Sequence, residues 1–423
     1  MKAFVQFCLI LALGCTFASL RAQAPSQVIV ANGGVFGSNN YVTVASWDLT
    51  TGNYVVFDSF PASSVQDVNI HSRDAYVCAD SFVVRYNLDN LTREAMGVVY
   101  GARQSAVFED KVIVTKGFGS TGENAVVLNA SDLSQSYEVM GITGNTEGVV
   151  VVGDTAYLTN PSSFIATEGA MAVVDMSNAS LNRVIDLDTM GRQIQDLYKY
   201  QNKLYSINII KFNNPTYSVI SEFDIATTAI THHRVDLPAA QGAGVIDGKL
   251  YADFNGSLGV FDLVSGTISD TVLVAGFWSG MTTDSVNDRL YLTETDYATY
   301  GRMYSYDLQG NRLDSIDVGI SPEALAVDYN ITVGANETVS NSATIGVFPQ
   351  PFGSEMNVDL RSFKGKSIDI TLFDLYGRVV LSESVTGNEI VRFETNTIAP
   401  GAYVLRAVAG NQVATVKVIK TAK

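Results

Sequence analysis

The sequence predicts an all-β chain: a seven-bladed β-propeller closed by a C-terminal strand, followed by a small C-terminal β-sandwich. Three observations carry that prediction. One three-part unit of short, alternating strands returns seven times between about residues 27 and 328. The first unit lacks the part with which the array ends. Beyond residue 330, a polar stretch without periodicity gives way to strands at shorter spacing, with a net charge of opposite sign.

Composition bounds the function. The 423 residues are 47% apolar, enough for a substantial core. With 27 Lys and Arg against 43 Asp and Glu, the net charge of −16 argues against a nucleic-acid partner, which demands a basic footprint. Three His and three Cys leave little for a soft-metal site or a disulfide framework.

Residues 1–24 read as a secretory signal peptide: Lys2, the apolar run FVQFCLILALGCTFA, and the small-residue pattern Ala22-Gln23-Ala24. Cleavage fits after Ala22 or after Ala24. Cys15 is an ordinary leader position, since Ala12 stands where a lipobox has Leu. No later segment has the roughly 20 consecutive apolar residues of a spanning helix. Removal of the leader leaves Cys78 alone in the alternating run AYVCAD, where a small buried hydrophobe is expected.

The propeller is predicted over residues 25–330. Each unit opens on a leading strand that ends in a polar turn: QDVNIHS, QSAVFED, EGVVVVGD, QDLYKYQN, GAGVIDG, SGMTTDSVND and EALAVDYN. A second strand follows, as in KVIVTKG or KLYADFN. The third part runs into an Asx turn and out along a fourth strand, the turn residues being Asp48, Asn87, Asn129, Asp175, Asp224, Asp262 and Asp307. Four strands in a unit of roughly 43 residues fit a propeller blade, and period-2 patterning excludes helical solenoids. Gln27 enters directly at a second strand, whereas EALAVDYN is a leading strand with nothing after it. Pairing the two closes the ring and removes its free edges.

Residues 331–344 read as a linker and 345–423 as a separate module. The module holds nine basic and seven acidic side chains, which leaves about −20 on residues 23–344. Its ordered motifs are Phe348-Pro349-Gln350-Pro351-Phe352, Asp374-Leu375-Tyr376-Gly377-Arg378, Pro400-Gly401-Ala402-Tyr403, and a basic end at Lys417, Lys420 and Lys423. On those motifs the tail resembles the type A C-terminal sorting domain of the type IX secretion system of Bacteroidota, with Gln350 in place of the usual Asn. The resemblance implies the type IX secretion machinery as a partner, export across the outer membrane of a Gram-negative cell, and release or attachment at the surface.

Catalytic chemistry finds no support, and no catalytic residue is assigned. His232 and His233, adjacent on one strand, point to opposite faces, and His71 sits at a strand edge. GGVFGSNN and KGFGSTGEN lack the Lys-Ser/Thr ending and following helix of a phosphate cradle. The informative loops are those expected to share one face of the ring. They carry Phe36, Asn39, Asn40, Phe118, Phe164, Phe212, Tyr217, Tyr297 and Tyr300 within blades, and Tyr100, Arg103, Arg192, Phe277 and Trp278 between blades. Aromatics converging on a concave rim point to a large, partly apolar ligand or a protein, oriented by Asn40, Arg103 and Arg192.

The opening ANGGVFGSNNYVTVASWDLTTG and the closing RLYLTETDYATYGRMYSYDLQG resemble the YncE-like surface propellers of Bacteroidota, a group that includes cobalamin-capturing proteins of the BtuG type. That resemblance implies capture of a corrinoid or similarly large nutrient for a TonB-dependent transporter. The expectation is therefore a secreted or cell-surface, non-enzymatic binding propeller without a resident cofactor. A rival reading uses the same face for adhesion to protein or glycan. A third, a lactonase- or lyase-type enzyme, requires a Ca²⁺-type site, for which Asp67, Glu147, Asp196 and Glu323 head four leading strands.

Overall fold

The computed structural model describes residues 26–329 and 345–421, apart from positions 36, 39–40, 118–119, 121, 162–166, 211–215, 364–365, 375–378, 387–389 and 410–411. The chain divides into two compact units, Met1–Ile331 and Thr332–Lys423. The expected leader and the whole of the expected linker lie outside the described residues.

The described residues of the first unit form seven four-stranded antiparallel sheets. Six take four strands consecutive in sequence: sheet II from Asp67–His71 to Thr92–Val98, sheet III from Ala102–Phe108 to Gln135–Glu138, and sheet IV from Val149–Val152 to Ser180–Asp186. Sheet V runs from Ile194–Tyr200 to Ile230–Val235, sheet VI from Ala239–Ile246 to Thr267–Ala275, and sheet VII from Gly280–Asp284 to Arg312–Ile320. Sheet I is composite. Its first strand, Pro322–Asp328, pairs antiparallel with Gln27–Asn32, and Tyr41–Asp48 and Tyr54–Pro61 complete it.

The leading strand of each sheet touches the leading strands of both neighbours all the way round, so these strands form the inner wall of a closed ring. Seven apolar clusters fill the seven gaps between adjacent sheets. Between sheets VII and I, for instance, Trp47 meets Tyr291 edge-on at 5.9 Å beside Val28 and Met303. This explains the sequence pattern. Second strands such as Gln27–Asn32 are buried along their whole length, because a neighbouring sheet covers each face, and they read as near-continuous apolar runs. Fourth strands such as Thr92–Val98 lie at the periphery and are largely exposed.

A buried ion pair secures the closure. Asp328, with a fully buried side chain, accepts from Arg73 Nη1 at 2.7 and 2.8 Å, from Gln27 Nε2 at 2.9 Å and from Ser26 Oγ at 3.3 Å. The last strand is thereby tied both to the first strand and to sheet II.

Six of the seven expected turn residues accept the backbone N–H two residues on: Asp48, Asn87, Asp175, Asp224, Asp262 and Asp307, at 2.8–3.0 Å. Asn129 differs. Its side chain is engaged by the hydroxyls of Ser134 and Ser136, and Asp132 caps that turn by accepting from the Ser134 N–H at 2.9 Å.

The second unit is a two-sheet module. One sheet has three strands, in the order Gly346–Phe348, Glu355–Asp359, Ile390–Glu394; the other has four, Val379–Thr386, Ser367–Asp374, Gly401–Ala409, Gln412–Lys420. Phe352, Met356, Phe363, Ile370, Phe393 and Leu405 build its core. Phe352 is held by backbone bonds to Ile419 and Thr421 at 2.9 and 3.0 Å, and its ring lies under the Lys420 ammonium. Tyr403 donates to the Ala399 carbonyl at 2.7 Å across the turn through Pro400 and Gly401. Pro349 and Pro351 flank Gln350, whose Oε1 accepts from the Ile419 N–H at 3.1 Å. The turn through Gly377 lies outside the described residues. Among the described residues, no helix is long and apolar enough to cross a membrane.

Candidate functional site

Because the units repeat, one position of each unit recurs at one height around the ring. The heads of the seven leading strands therefore place seven sets of side chains in a circle. Together they wall a cavity of about 580 Å³ at one mouth of the channel. Sheet II supplies Gln66, sheet III Arg103 and Gln104, sheet IV Glu147, and sheet V Gln195 and Asp196. Gln241 comes from sheet VI, Ser279 from sheet VII and Glu323 from sheet I. Ser63, Ser64, Asp253, Phe277, Trp278 and Tyr297 add the rim. A second cavity of about 200 Å³ shares Gln66, Gln104, Asp196, Gln241 and Glu323 with it and continues to Asp67, Tyr198 and Met281.

The polar wall is organised. Arg103 bridges Glu147 and the Gln66 carbonyl oxygen. Asp196 accepts from Gln104 Nε2 at 2.9 Å, from Tyr198 Oη–H at 3.1 Å and from the Gly242 N–H at 3.1 Å. Asp67, deeper in the channel, accepts from the Ser105 N–H at 3.0 Å. Burial pushes the Asp67 carboxyl up to about 7 against the lowering effect of the Ser105 bonds, with the Asp196 charge adding to the rise. Burial likewise raises Glu147, opposed by Arg103, and raises Asp253, opposed by the Gly256 N–H. Glu323 is pushed up to about 7 by burial alone. Its carboxylate has the space it occupies because residue 33 is glycine: a Cβ there would stand 2.7 Å from Glu323 Oε2.

The structure redistributes the expected aromatic rim. Phe277, 61% exposed, and Tyr297 line the cavity as anticipated. Trp278 is among the lining residues but is almost wholly covered. It is 4% exposed, packs edge-on against Tyr304 and Tyr306, and donates to the Val274 carbonyl at 3.4 Å. It is a core residue between sheets VI and VII rather than an open stacking platform. Tyr100 and Tyr300, 54% and 80% exposed, and Arg192 do not line the cavity. Tyr217 is covered by the Arg234 guanidinium at 4.0 Å. Arg103 lines the wall, but its guanidinium is engaged by protein. Phe36, Asn39, Asn40, Phe118, Phe164 and Phe212 lie outside the described residues.

Among the described residues, no group of three or more His, Cys, Asp and Glu side chains comes together to hold a metal. Asp67, Glu147, Asp196 and Glu323 do face one channel. They head separate sheets, however, and the first three already accept from Ser105, Arg103 and Gln104. His232 meets Ser221 Oγ at 2.8 Å on one face of its strand, while His233 packs on Phe261 on the other. Cys78 is fully buried, and burial raises its thiol.

The main residues missed by sequence reading are Gln66, Gln104, Gln195 and Gln241. Their signal was present: a Gln or Glu stands at the head of QDVNIHS, QSAVFED, EGVVVVGD, QDLYKYQN and EALAVDYN. A polar amide at a fixed repeat position that faces the ring axis is a lining residue.

With the geometry in place, comparison with solved structures gives the fold. A hypothetical selenium-binding protein from Sulfolobus tokodaii superposes with a TM-score of 0.56 at 10% identity, covering 72% of this chain and 94% of that one. A 6-phosphogluconolactonase candidate from Bacteroides fragilis superposes with a TM-score of 0.53 at 13% identity, covering 71% and 98%. No curated protein matches the chain in sequence. Residues 346–421 match the family of secretion system C-terminal sorting domains. The chain is thus a β-propeller protein with a type IX sorting tail, which marks it for secretion or for the cell surface.

Proposed function

We propose that this protein is an extracellular, non-enzymatic binding propeller that captures a small, hydrogen-bonding solute in the cavity at the channel mouth. The observation that carries the reading is that all seven sheets contribute a polar side chain to one wall around the channel mouth. A site of this kind, with few charged groups left open and several fixed polar ones, holds and orients a ligand. The resemblance of the end blades to corrinoid-binding propellers keeps cobalamin among the ligands to be tried, with delivery to a TonB-dependent transporter as its consequence. The polar wall and the burial of Trp278 favour a smaller and more hydrophilic solute.

The test is a thermal-shift panel on the full chain with cobalamin, cobinamide, neutral sugars, amino acids, polyamines and dicarboxylates. A ligand at a hundred times its dissociation constant stabilises the fold by about 2.7 kcal/mol. The reading predicts a shift with at least one polar solute, abolished by Gln104→Ala with Gln241→Ala. A panel that shifts nothing would overturn small-solute capture and favour adhesion through exposed rim residues such as Phe277.

A further inference from the structure

The wall of this cavity has a definite hydrogen-bonding polarity. The amide nitrogens of three of its glutamines already donate to protein acceptors. Gln104 Nε2 donates to Asp196, Gln195 Nε2 to the Gln193 and Ile194 carbonyls, and Gln241 Nε2 to the Trp278 and Ser279 carbonyls. Gln195 and Gln241 therefore have carbonyl oxygen left for a ligand, and Gln104 has its carbonyl oxygen and one N–H. Among the described lining residues the one guanidinium, Arg103, has its charge paired by Glu147 and also donates to Gln66. Glu323 is the opposite case. Among the described residues its carboxylate has no hydrogen-bonding or ion-pair partner, and it shares the cavity with the rings of Phe277 and Tyr297.

Resting on the proposed capture site, we infer that the cavity selects an organic ammonium ion, held by Glu323 and the free glutamine carbonyls and flanked by Phe277 and Tyr297. An ammonium carries several N–H donors and no acceptor, the complement of a wall rich in acceptors. Its charge satisfies the one unpaired carboxylate, and aromatic faces attract cations. Carboxylate and phosphate ligands meet the converse: among the described lining residues no cation is left unpaired, and the Glu323 carboxylate repels them. An organic ammonium is favoured over a metal ion because no three carboxylates converge among the described residues and because Phe277 and Tyr297 line the same cavity.

The test uses three five-carbon probes of matched length on the full chain at pH 7.5, followed by titration calorimetry: cadaverine, 1,5-pentanediol and glutarate. Cadaverine is expected to bind about tenfold or more tightly than the diol, and glutarate to give no heat, because a charged hydrogen bond exceeds a neutral one by this margin. Glu323→Gln should lower cadaverine affinity about tenfold or more and diol affinity by a clearly smaller factor; Phe277→Ala should weaken cadaverine with no change in melting temperature. Glutarate binding as tightly as cadaverine, or Glu323→Gln leaving cadaverine affinity intact, would overturn the ammonium assignment. Binding of a neutral solute that Gln104→Ala with Gln241→Ala abolishes, with no cadaverine binding, would overturn the assignment and leave the capture site standing. A chain that binds none of the probes and nothing in the wider panel would overturn both.

Discussion

Removing Arg73 tests how the ring is closed. Asp328 is fully buried, and Arg73 supplies its two shortest bonds; Gln27 and Ser26 supply the others. Arg73→Ala would leave a carboxylate without its cation inside the seam between the first and last strands. Stranding one member of a buried pair costs about 3–5 kcal/mol. Asp328→Asn is milder. Arg73 keeps Asp89 at 2.8 Å and some solvent, and the new amide oxygen still accepts, so about 1–3 kcal/mol is expected. Roughly 300 residues lie between the paired strands, and an unfolding entropy of about 2 cal/mol/K per residue turns the larger cost into a melting-temperature drop of about 5–8 °C. Scanning fluorimetry at pH 7 on the full chain reads this directly. Combining Arg73→Ala with Asp328→Asn should recover part of the loss, because the stranded charge is gone. A drop below about 2 °C for Arg73→Ala, or a double variant no better than the single, would refute the latch.

Other outcomes follow from the same geometry. Because burial raises the folded-state Asp67 carboxyl from 3.8 to about 7, folding binds a proton between those values; the stabilisation from the protonated form is complete below about pH 4 and is lost as pH rises toward 7. Asp67→Asn keeps an acceptor for Ser105, so melting curves from pH 4 to 8 should show a gain at pH 8 that vanishes near pH 4. Trp278→Ala should cost about 3–5 kcal/mol as a core truncation, whereas Phe277→Ala should leave urea unfolding unchanged; equal effects would contradict the assignment of one to the core and the other to the rim. Tyr403→Phe removes the bond to the Ala399 carbonyl across the Pro400-Gly401 turn and should destabilise the tail by about 1 kcal/mol, measurable as reduced protease resistance confined to residues 345–423.

The fold was legible because every level of the sequence agreed. Gln27 beginning at a second strand and EALAVDYN ending as an unpaired first strand together specify a composite sheet, which Pro322–Asp328 and Gln27–Asn32 form. The Asx positions were legible as chemistry, since a side-chain carbonyl two residues before an N–H is local information. Asn129 escaped because its turn passes the role to Asp132. The cavity was legible only in part. Burial of Trp278 depends on Tyr304 and Tyr306 from the next sheet, a contact that local pattern does not encode. The lining glutamines were passed over because an amide carries no chemical signature by itself; only its recurrence at one height of a ring makes it a wall. Arg103 lines the cavity, but sequence does not reveal that Glu147 and Gln66 hold it.

The chain holds two tryptophans, Trp47 between sheets VII and I and Trp278 at the cavity edge. In a Trp47→Phe background, the remaining tryptophan emission comes from Trp278, whose backbone carbonyl accepts from the lining Gln241 and whose neighbour Phe277 lines the cavity. Titrating this variant with cadaverine while recording that emission tests the central claim most directly. The account predicts a saturable spectral change whose midpoint matches the calorimetric dissociation constant and moves to higher concentration in Glu323→Gln. Calorimetric binding with Trp278 emission unchanged and with affinity undiminished in Glu323→Gln would place the ligand elsewhere and contradict the account.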